Sequence, residues 1–158
     1  MGDWIDALGN EDELRRKAEE HHRRTHFRRA EIIAQKKPDL WAALMTAIQR
    51  DVEKFRTKFA GRRTVDLTMI PEFGFRLYKS PYPTVLLEAE IPPDGTSIKV
   101  TYTTVFNHIS PTERSEESFE LAPDRAENLV ISHNGRVFSS LNDVSRFLLE
   151  PAFAVEFR

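Results

Sequence analysis

The chain has 158 residues, a formal net charge of −2, 30% charged residues and no cysteine. This length suits one domain, or one domain with an appendage. The missing cysteines exclude thiolate catalysis, disulfide redox chemistry, iron–sulfur clusters and cysteine-bound zinc. The sequence shows neither a signal peptide nor an apolar run near the ~20 residues of a membrane span. We therefore expect a cytoplasmic protein without membrane contact.

Charge divides the chain into two parts. Residues 1–63 carry 15 Lys and Arg against 11 Asp and Glu, whereas residues 64–158 carry 8 against 14. The spacing of apolar residues changes at the same place, from a helical period to a period of two. This coincidence predicts a basic helical part followed by an acidic part made mainly of strands.

Two helices are predicted in the basic part. Asn10 has the position of an N-cap, with Glu13 three residues later, and the first helix should run to about Lys36. Pro38 should stop it and begin a second helix that ends near Gly61. The second helix carries a continuous apolar stripe: Trp41, Leu44, Met45, Ile48, Val52, Phe55 and Phe59. Such a stripe is typical of a helix that packs on a core.

The first helix has a much poorer seam of apolar residues. Its best line is Leu14, Ala18, His21, Thr25, Arg28 and Ile32. We therefore expect residues 1–37 to form a mostly solvated, basic helical arm and residues 38–158 to form a helix-covered antiparallel-sheet domain. Trp4, Ile5 and Leu8 precede this helix, and the cost of leaving a tryptophan in water predicts that Trp4 is buried on something.

From Val65 onward, apolar residues alternate with polar ones in about six or seven short segments. Pro92 to Gly95 and Asn134-Gly135 have the composition of hairpin turns. Ser140 should cap a short helix that Pro151 ends, and Phe153, Val155 and Phe157 indicate a last strand. The expected fold class is α+β: two helices, an antiparallel meander, a short helix and a final strand.

Two details of the meander can be predicted. If Ile91 pairs with Thr96, Glu88 lies opposite Lys99 on the wet face, while Val85, Leu87 and Ala89 share the buried face with their partners. The acidic segment from Pro111 to Glu120 is expected to be a loop and a short edge strand.

The densest polar feature is the stretch of residues 15–29, which we name the basic segment. Its candidate partner-binding residues are Arg15, Arg16, Lys17, Arg23, Arg24, Arg28 and Arg29. On a helix they spread nearly all round, which argues against a membrane-surface helix and weakens groove recognition. The basic segment could contact nucleic acid, an acidic protein surface, or the acidic segment of the same chain or of a second copy, or it could simply be a solvated face.

Histidines supply the remaining candidates. Glu19, His22 and His26 share one helix face, but neighbouring arginines repel a cation, so no bound metal is predicted. His108 and His133 lie in predicted turns, and neither has an evident serine or carboxylate partner. We predict no catalytic residue and no cofactor.

These observations favour a non-enzymatic binding or regulatory protein whose basic N-terminal helix contacts a macromolecular partner, and they allow a homo-oligomer. One alternative is a small-ligand binding protein with an apolar pocket between sheet and helix, lined by Phe73, Phe75, Tyr102 and Phe106. Another is a hydrolase-type enzyme that uses His108 or His133 with a strand carboxylate. A buried histidine beside a carboxylate in a cleft would favour the enzyme.

Overall fold

The computed structural model describes residues 3–154, and these form a long helix, seven strands and a short helix. The elements are α1 (Asp3–Lys58), β1 (Thr64–Ile70), β2 (Gly74–Ser80), β3 (Thr84–Glu90), β4 (Ser97–Val105), β5 (Glu113–Pro123), β6 (Leu129–His133), β7 (Arg136–Val137) and α2 (Leu141–Phe153). Each strand pairs antiparallel with the next along the chain. The predicted α+β class and antiparallel meander are confirmed.

The hydrophobic core lies between one face of the sheet and the C-terminal half of α1. The apolar stripe of that half is buried from Trp41 to Phe55, with Phe59 partly buried against it. Alternate residues of the central strands meet the stripe, among them Phe75, Leu77 and Leu87. The period-two pattern therefore selects the buried face of the sheet, and the helical stripe covers it.

One continuous helix replaces the two that were predicted. α1 begins at Asp3, before the expected cap at Asn10, and it runs through Pro38 to Lys58. A proline inside a helix removes one hydrogen bond and crowds the preceding turn. Ile33 and Trp41, on either side of Pro38, are buried in the folded domain. Tertiary packing on both sides of the proline thus keeps the helix continuous.

The N-terminal half of α1 extends beyond the packed part of the molecule. Every side chain from residue 3 to residue 30 is exposed, and the first buried ones are Ile32 and Ile33. Trp4 is 64% exposed, so it does not dock on its own domain, and its burial on a partner stays a prediction. Within residues 3–154, no strand or loop covers the helix around Trp4.

The β3–β4 hairpin has the predicted faces but a different register. Glu88 lies opposite Thr101, and Glu90, not Glu88, lies opposite Lys99. Glu88 instead accepts a hydrogen bond from Arg76 of β2 at 3.2 Å. The error of two residues arises at the loop, where two consecutive prolines cannot donate ladder hydrogen bonds and pairing stops sooner than expected. A shift of two residues leaves every side chain on its predicted face.

The acidic segment is mostly strand. β5 spans 11 residues and pairs with β4 from Glu113 to Glu120. Its pairing with β6 begins only at Glu120, so the N-terminal part of β5 has one unpaired side. Pairing with the long neighbouring strand β4 outweighs the low strand propensity of its glutamates.

The C-terminal part follows the predicted caps but not the predicted stop. Ser140 caps α2 by accepting a hydrogen bond from the Asp143 amide, and Asn134 and Gly135 both have positive φ, as a type I′ turn requires. α2 continues through Pro151 to Phe153, whose ring stacks on Phe55 with centroids 4.0 Å apart. Phe153 is therefore helical, and the rest of the predicted last strand lies outside the described residues.

One lysine is buried in the domain. Lys79, near the end of β2, is 1% exposed, and its Nζ donates a hydrogen bond to the carbonyl of Pro83 at 2.8 Å. Burial, together with the nearby charge of Arg63, lowers the pKa of the Lys79 ammonium below its ordinary value. The folded state thus holds this proton less tightly than the unfolded chain does.

This shift predicts how stability depends on pH. Because the pKa of Lys79 is lower in the folded chain, burial of its charged ammonium destabilises the folded state fully at any pH below that pKa. This destabilisation disappears as pH rises towards 10.5, the ordinary value. The free energy of unfolding of the native chain should rise relative to that of Lys79→Met over the alkaline range that ends there. Urea titrations at several pH values measure the difference. Lys99→Met, at an exposed lysine, is the control. If the difference in unfolding free energy between the native chain and Lys79→Met does not change with pH, the lowered pKa of Lys79 is contradicted.

The two halves of α1 should contribute very differently to stability. Ile48 is fully buried, whereas Leu14 is 67% exposed. Ile48→Ala should lower the free energy of unfolding by about 2–5 kcal/mol, because it removes buried methyl groups and leaves a cavity. Leu14→Ala should change it by no more than about 0.5 kcal/mol. Thermal and urea melts rank the two variants, and a larger loss at Leu14 would show that the exposed half is packed in solution.

Candidate partner-binding surface

The basic segment lies entirely within the exposed half of α1. Exposed residues 3–30 extend for about 42 Å at the rise of an α-helix. All seven predicted partner-binding residues lie on this stretch. Because successive residues turn by 100°, their side chains point in several directions around the helix rather than along one stripe.

Three of the seven basic residues have acidic partners. Arg15 pairs with Asp12, and Lys17 pairs with Glu13 at 3.6 Å, both within the helix. Arg28 donates to Glu127 in the β5–β6 loop at 2.8 Å and also lies 3.5 Å from Glu31. The hydrogen bond and charge of Glu127 raise the pKa of the Arg28 guanidinium. Arg28 thus ties the basic segment to the domain, a role that the sequence did not suggest.

The other four arginines, Arg16, Arg23, Arg24 and Arg29, are exposed and have no ion pair or hydrogen bond from the side chain to any residue between 3 and 154. Glu19 is likewise exposed and unpaired within that range. Guanidinium groups present planar donors that match carboxylates and phosphates. The surface therefore offers four free cationic groups on one continuous helix.

The histidines of the helix do not form a metal site. His22 and His26 stack with ring centroids 6.4 Å apart. Across the part of the chain that the structure describes, no three His, Asp or Glu side chains converge closely enough to hold a metal ion. The Glu19, His22 and His26 set therefore supplies no coordination geometry.

His133 has the carboxylate partner that the sequence did not reveal. Its Nε2 donates to Glu117 at 2.7 Å, and its side chain is 13% exposed. The ring packs against Phe119 and Phe147, with centroids 4.9 Å away in each case. Glu117, Phe119 and Leu121 are every second residue of β5, so their side chains lie on the same face of the sheet. This spacing of two residues is present in the sequence. It did not predict the position of Glu117, because the segment from Pro111 to Glu120 was expected to be a loop and a short edge strand.

A small concavity adjoins His133. It has a volume of about 350 Å³ and is also lined by Ser139, Phe147 and Arg146. The Ser139 hydroxyl donates to Asp143 at 2.7 Å, so this hydroxyl is already engaged. The other candidate, His108, lies in a loop and contacts Tyr82, whose hydroxyl is 3.1 Å from Nδ1. Within residues 3–154, neither histidine hydrogen-bonds a serine or threonine hydroxyl.

The four aromatic residues of the alternative pocket do not surround one cavity. Phe75 and Tyr102 are buried in the core, where burial raises the pKa of the Tyr102 phenol and its hydroxyl donates to the Leu148 carbonyl at 2.8 Å. Trp41 packs against both Phe73 and Phe75. The space beside them is thus filled by the helix stripe.

The largest concavity described lies on the opposite side of the sheet. It has a volume of about 990 Å³ and includes the cross-strand neighbours Arg76, Glu88, Thr101 and Glu116. These residues alternate with the buried ones, so they face away from α1. Its lining mixes these polar and charged groups with apolar ones, and it includes Phe73 and Phe75 but not Tyr102 or Phe106.

Comparisons with known proteins identify no relative. No family model, no curated protein and no solved structure matches this chain. Among residues 3–154, no helix combines the length and hydropathy that a membrane span requires. The argument for function therefore rests on the chemistry of the surfaces described above.

Proposed function

We propose that this is a non-enzymatic binding protein whose basic segment contacts a macromolecular partner with an acidic surface, either a nucleic acid or a protein. The observation that carries the proposal is the set of four arginines without acidic partners on a helix that is exposed all round. A rigid helix displays these cations away from the domain, where a large partner can approach without meeting the sheet. Concentrated cationic charge attracts polyanions and speeds their association.

The arrangement of the arginines favours contact with a charged surface over the reading of bases. Recognition of base edges requires several side chains aimed from one helix face into a groove. Here the cations point in different directions, which suits phosphate or carboxylate contacts that carry no sequence information. We therefore expect the partner to be chosen by charge density and shape, with little dependence on base sequence.

Binding should depend on salt and on the free arginines. Fluorescence anisotropy with two labelled probes, a DNA duplex and a polyglutamate peptide, measures affinity as salt is raised from about 50 mM. If duplex DNA is bound, Arg24→Gln with Arg29→Gln should reduce the log–log salt slope by about 1.8, because two phosphate contacts are lost. If only the peptide is bound, the same variant should weaken that binding.

The matched control changes Arg125 and Arg136 to glutamine. Both are exposed arginines of the sheet domain, so the net charge changes equally while the basic segment is untouched. An equal loss of affinity in both variants would show that net charge alone is responsible. Failure of both probes to bind at low salt, with protein at tens of micromolar, would refute the proposed function.

A hydrolase-type enzyme is the second candidate, and the Glu117–His133 pair is the observation that favours it. A carboxylate at hydrogen-bond distance orients an imidazole and supports it as a general base. The adjoining concavity could admit only a small substrate. If this alternative is correct, hydrolysis of small activated esters should be lost in His133→Gln and reduced in Glu117→Gln. Absence of turnover by the native protein across such substrates would remove it.

A further inference from the structure

The exposed half of α1 has charges of opposite sign at its two ends. Residues 3–13 contain five acidic residues and no basic one, whereas residues 14–30 contain seven basic residues and two acidic ones. The two ends therefore carry equal and opposite formal charge. A second copy of the same helix, turned end for end, would place each acidic end beside a basic end.

This complementarity is sharpest on one face of the helix. Asp12, Arg16, Glu19 and Arg23 follow each other at steps of four, three and four residues, so they lie on one face. The same face continues at steps of three or four residues, and it is buried in the domain from Ile33 onward; its members are His26, Ala30, Ile33, Lys37, Trp41 and Leu44. The face that packs on the sheet thus continues outward as an uncovered face with alternating charge.

We infer that this face binds the same face of a second copy of the chain, with the two helices antiparallel. In the register where paired residue numbers sum to 35, Asp12 meets Arg23 and Arg16 meets Glu19. Each pair occurs twice, because an interface with twofold symmetry uses the same patch on both copies. Within residues 3–154, the side chains of Arg16, Glu19 and Arg23 have no ion-pair or hydrogen-bond partner, and Asp12 is engaged only by its helical neighbour Arg15.

The apolar residues and the length of the helix agree with the same register. Exposed Ile5 and Leu8 come to the level of Ala30 and Phe27 of the other copy, and Phe27 is 72% exposed. Asp3 of one copy is then level with Ile32 of the other, the first residue buried in that copy's domain. The overlap therefore covers the whole of the exposed stretch from residue 3 to residue 30, about 42 Å.

A parallel pair would be unfavourable for the same residues. It would place Arg16 beside Arg16, Arg23 beside Arg23 and one acidic end beside the other. Like charges that face each other across an interface destabilise it. Because exposed ion pairs are individually weak and are screened by salt, the dimer should be most stable at low ionic strength.

This dimer is compatible with the proposed function but does not depend on it. Lys17 and Arg24, each directly following a residue of the pairing face, point away from that face. A dimer would therefore present two sets of outward cations to an acidic partner. The pairing is measured without any ligand, so its failure would not affect the test of polyanion binding.

Sedimentation velocity of the full chain at about 50 mM salt and at high salt tests the inference. The native protein should dimerise at tens of micromolar and dissociate as salt rises. Arg16→Glu with Arg23→Glu makes the pairing face wholly acidic, and Asp12→Arg with Glu19→Arg makes it wholly basic. Each variant should be monomeric alone, and an equal mixture of the two should form a heterodimer.

The matched control is Lys17→Glu with Arg24→Glu, which changes charge equally at two positions that are also seven residues apart but face outward. This variant should dimerise like the native protein. A native protein that is monomeric at low salt would overturn the inference. So would an Arg16 and Arg23 variant that remains dimeric, or a mixture that fails to form heterodimers.

The direction of pairing has its own test, because the chain contains no cysteine. Ile5→Cys mixed with Ala30→Cys should give a disulfide between the two variants under mild oxidation. Ile5→Cys alone should give little cross-linked product. Efficient cross-linking of Ile5→Cys to itself would show a parallel pair and refute the antiparallel register.

Discussion

The packing of one helix stripe on one sheet face is the interaction on which the remaining structure depends. An antiparallel meander exposes an apolar face that must be covered, and within this chain the C-terminal half of α1 supplies the cover. Leu44, Ile48 and Val52 are fully buried there. The same packing explains why Pro38 fails to end the helix, since buried residues on both of its sides hold the two segments in line.

The second helix completes this core and brings polar groups into fixed positions. α2 packs beside α1, and Ser145 of α2 donates to Asp51 of α1 at 2.7 Å. The Tyr102 hydroxyl, in the sheet, donates to the Leu148 carbonyl of α2. These two hydrogen bonds, which are buried or partly buried, link α1, α2 and the sheet. The aromatic cluster around His133 forms where α2 meets β5 and β6. The Glu117–His133 pair therefore depends on the packing of α2 against β5 and β6.

The length of α1 has the largest consequence for function. The sheet covers only the half that begins near Ile32, so residues 3–30 project from the packed domain with exposed side chains. The hydrogen bond from Arg28 to Glu127 ties the base of this projection to the domain. A polar helix of this kind gains little stability from its own side chains, and propagation from the docked half sustains it. A face that pairs with a second copy would stabilise the projecting half further, and outward arginines would remain for an acidic partner.

Much of the architecture followed from local pattern. Alternation identified which face of each central strand is buried, and Asn134-Gly135 and Ser140 identified a turn and a cap. The hairpin register was wrong by an even number of residues, because alternation determines the face but cannot distinguish shifts of two. The basic residues were also found from composition, but Arg28 had a hidden partner in Glu127, 99 residues away.

By itself, the sequence determined the class of fold, the buried faces and the location of concentrated positive charge, since each depends on periodicity or on neighbouring residues. Tertiary structure alone decided that α1 is continuous, that the acidic segment is a strand and that Glu117 meets His133. These features depend on contacts between distant residues, in which packing outweighs local preferences such as the helix-breaking tendency of Pro38 and the low strand propensity of glutamate.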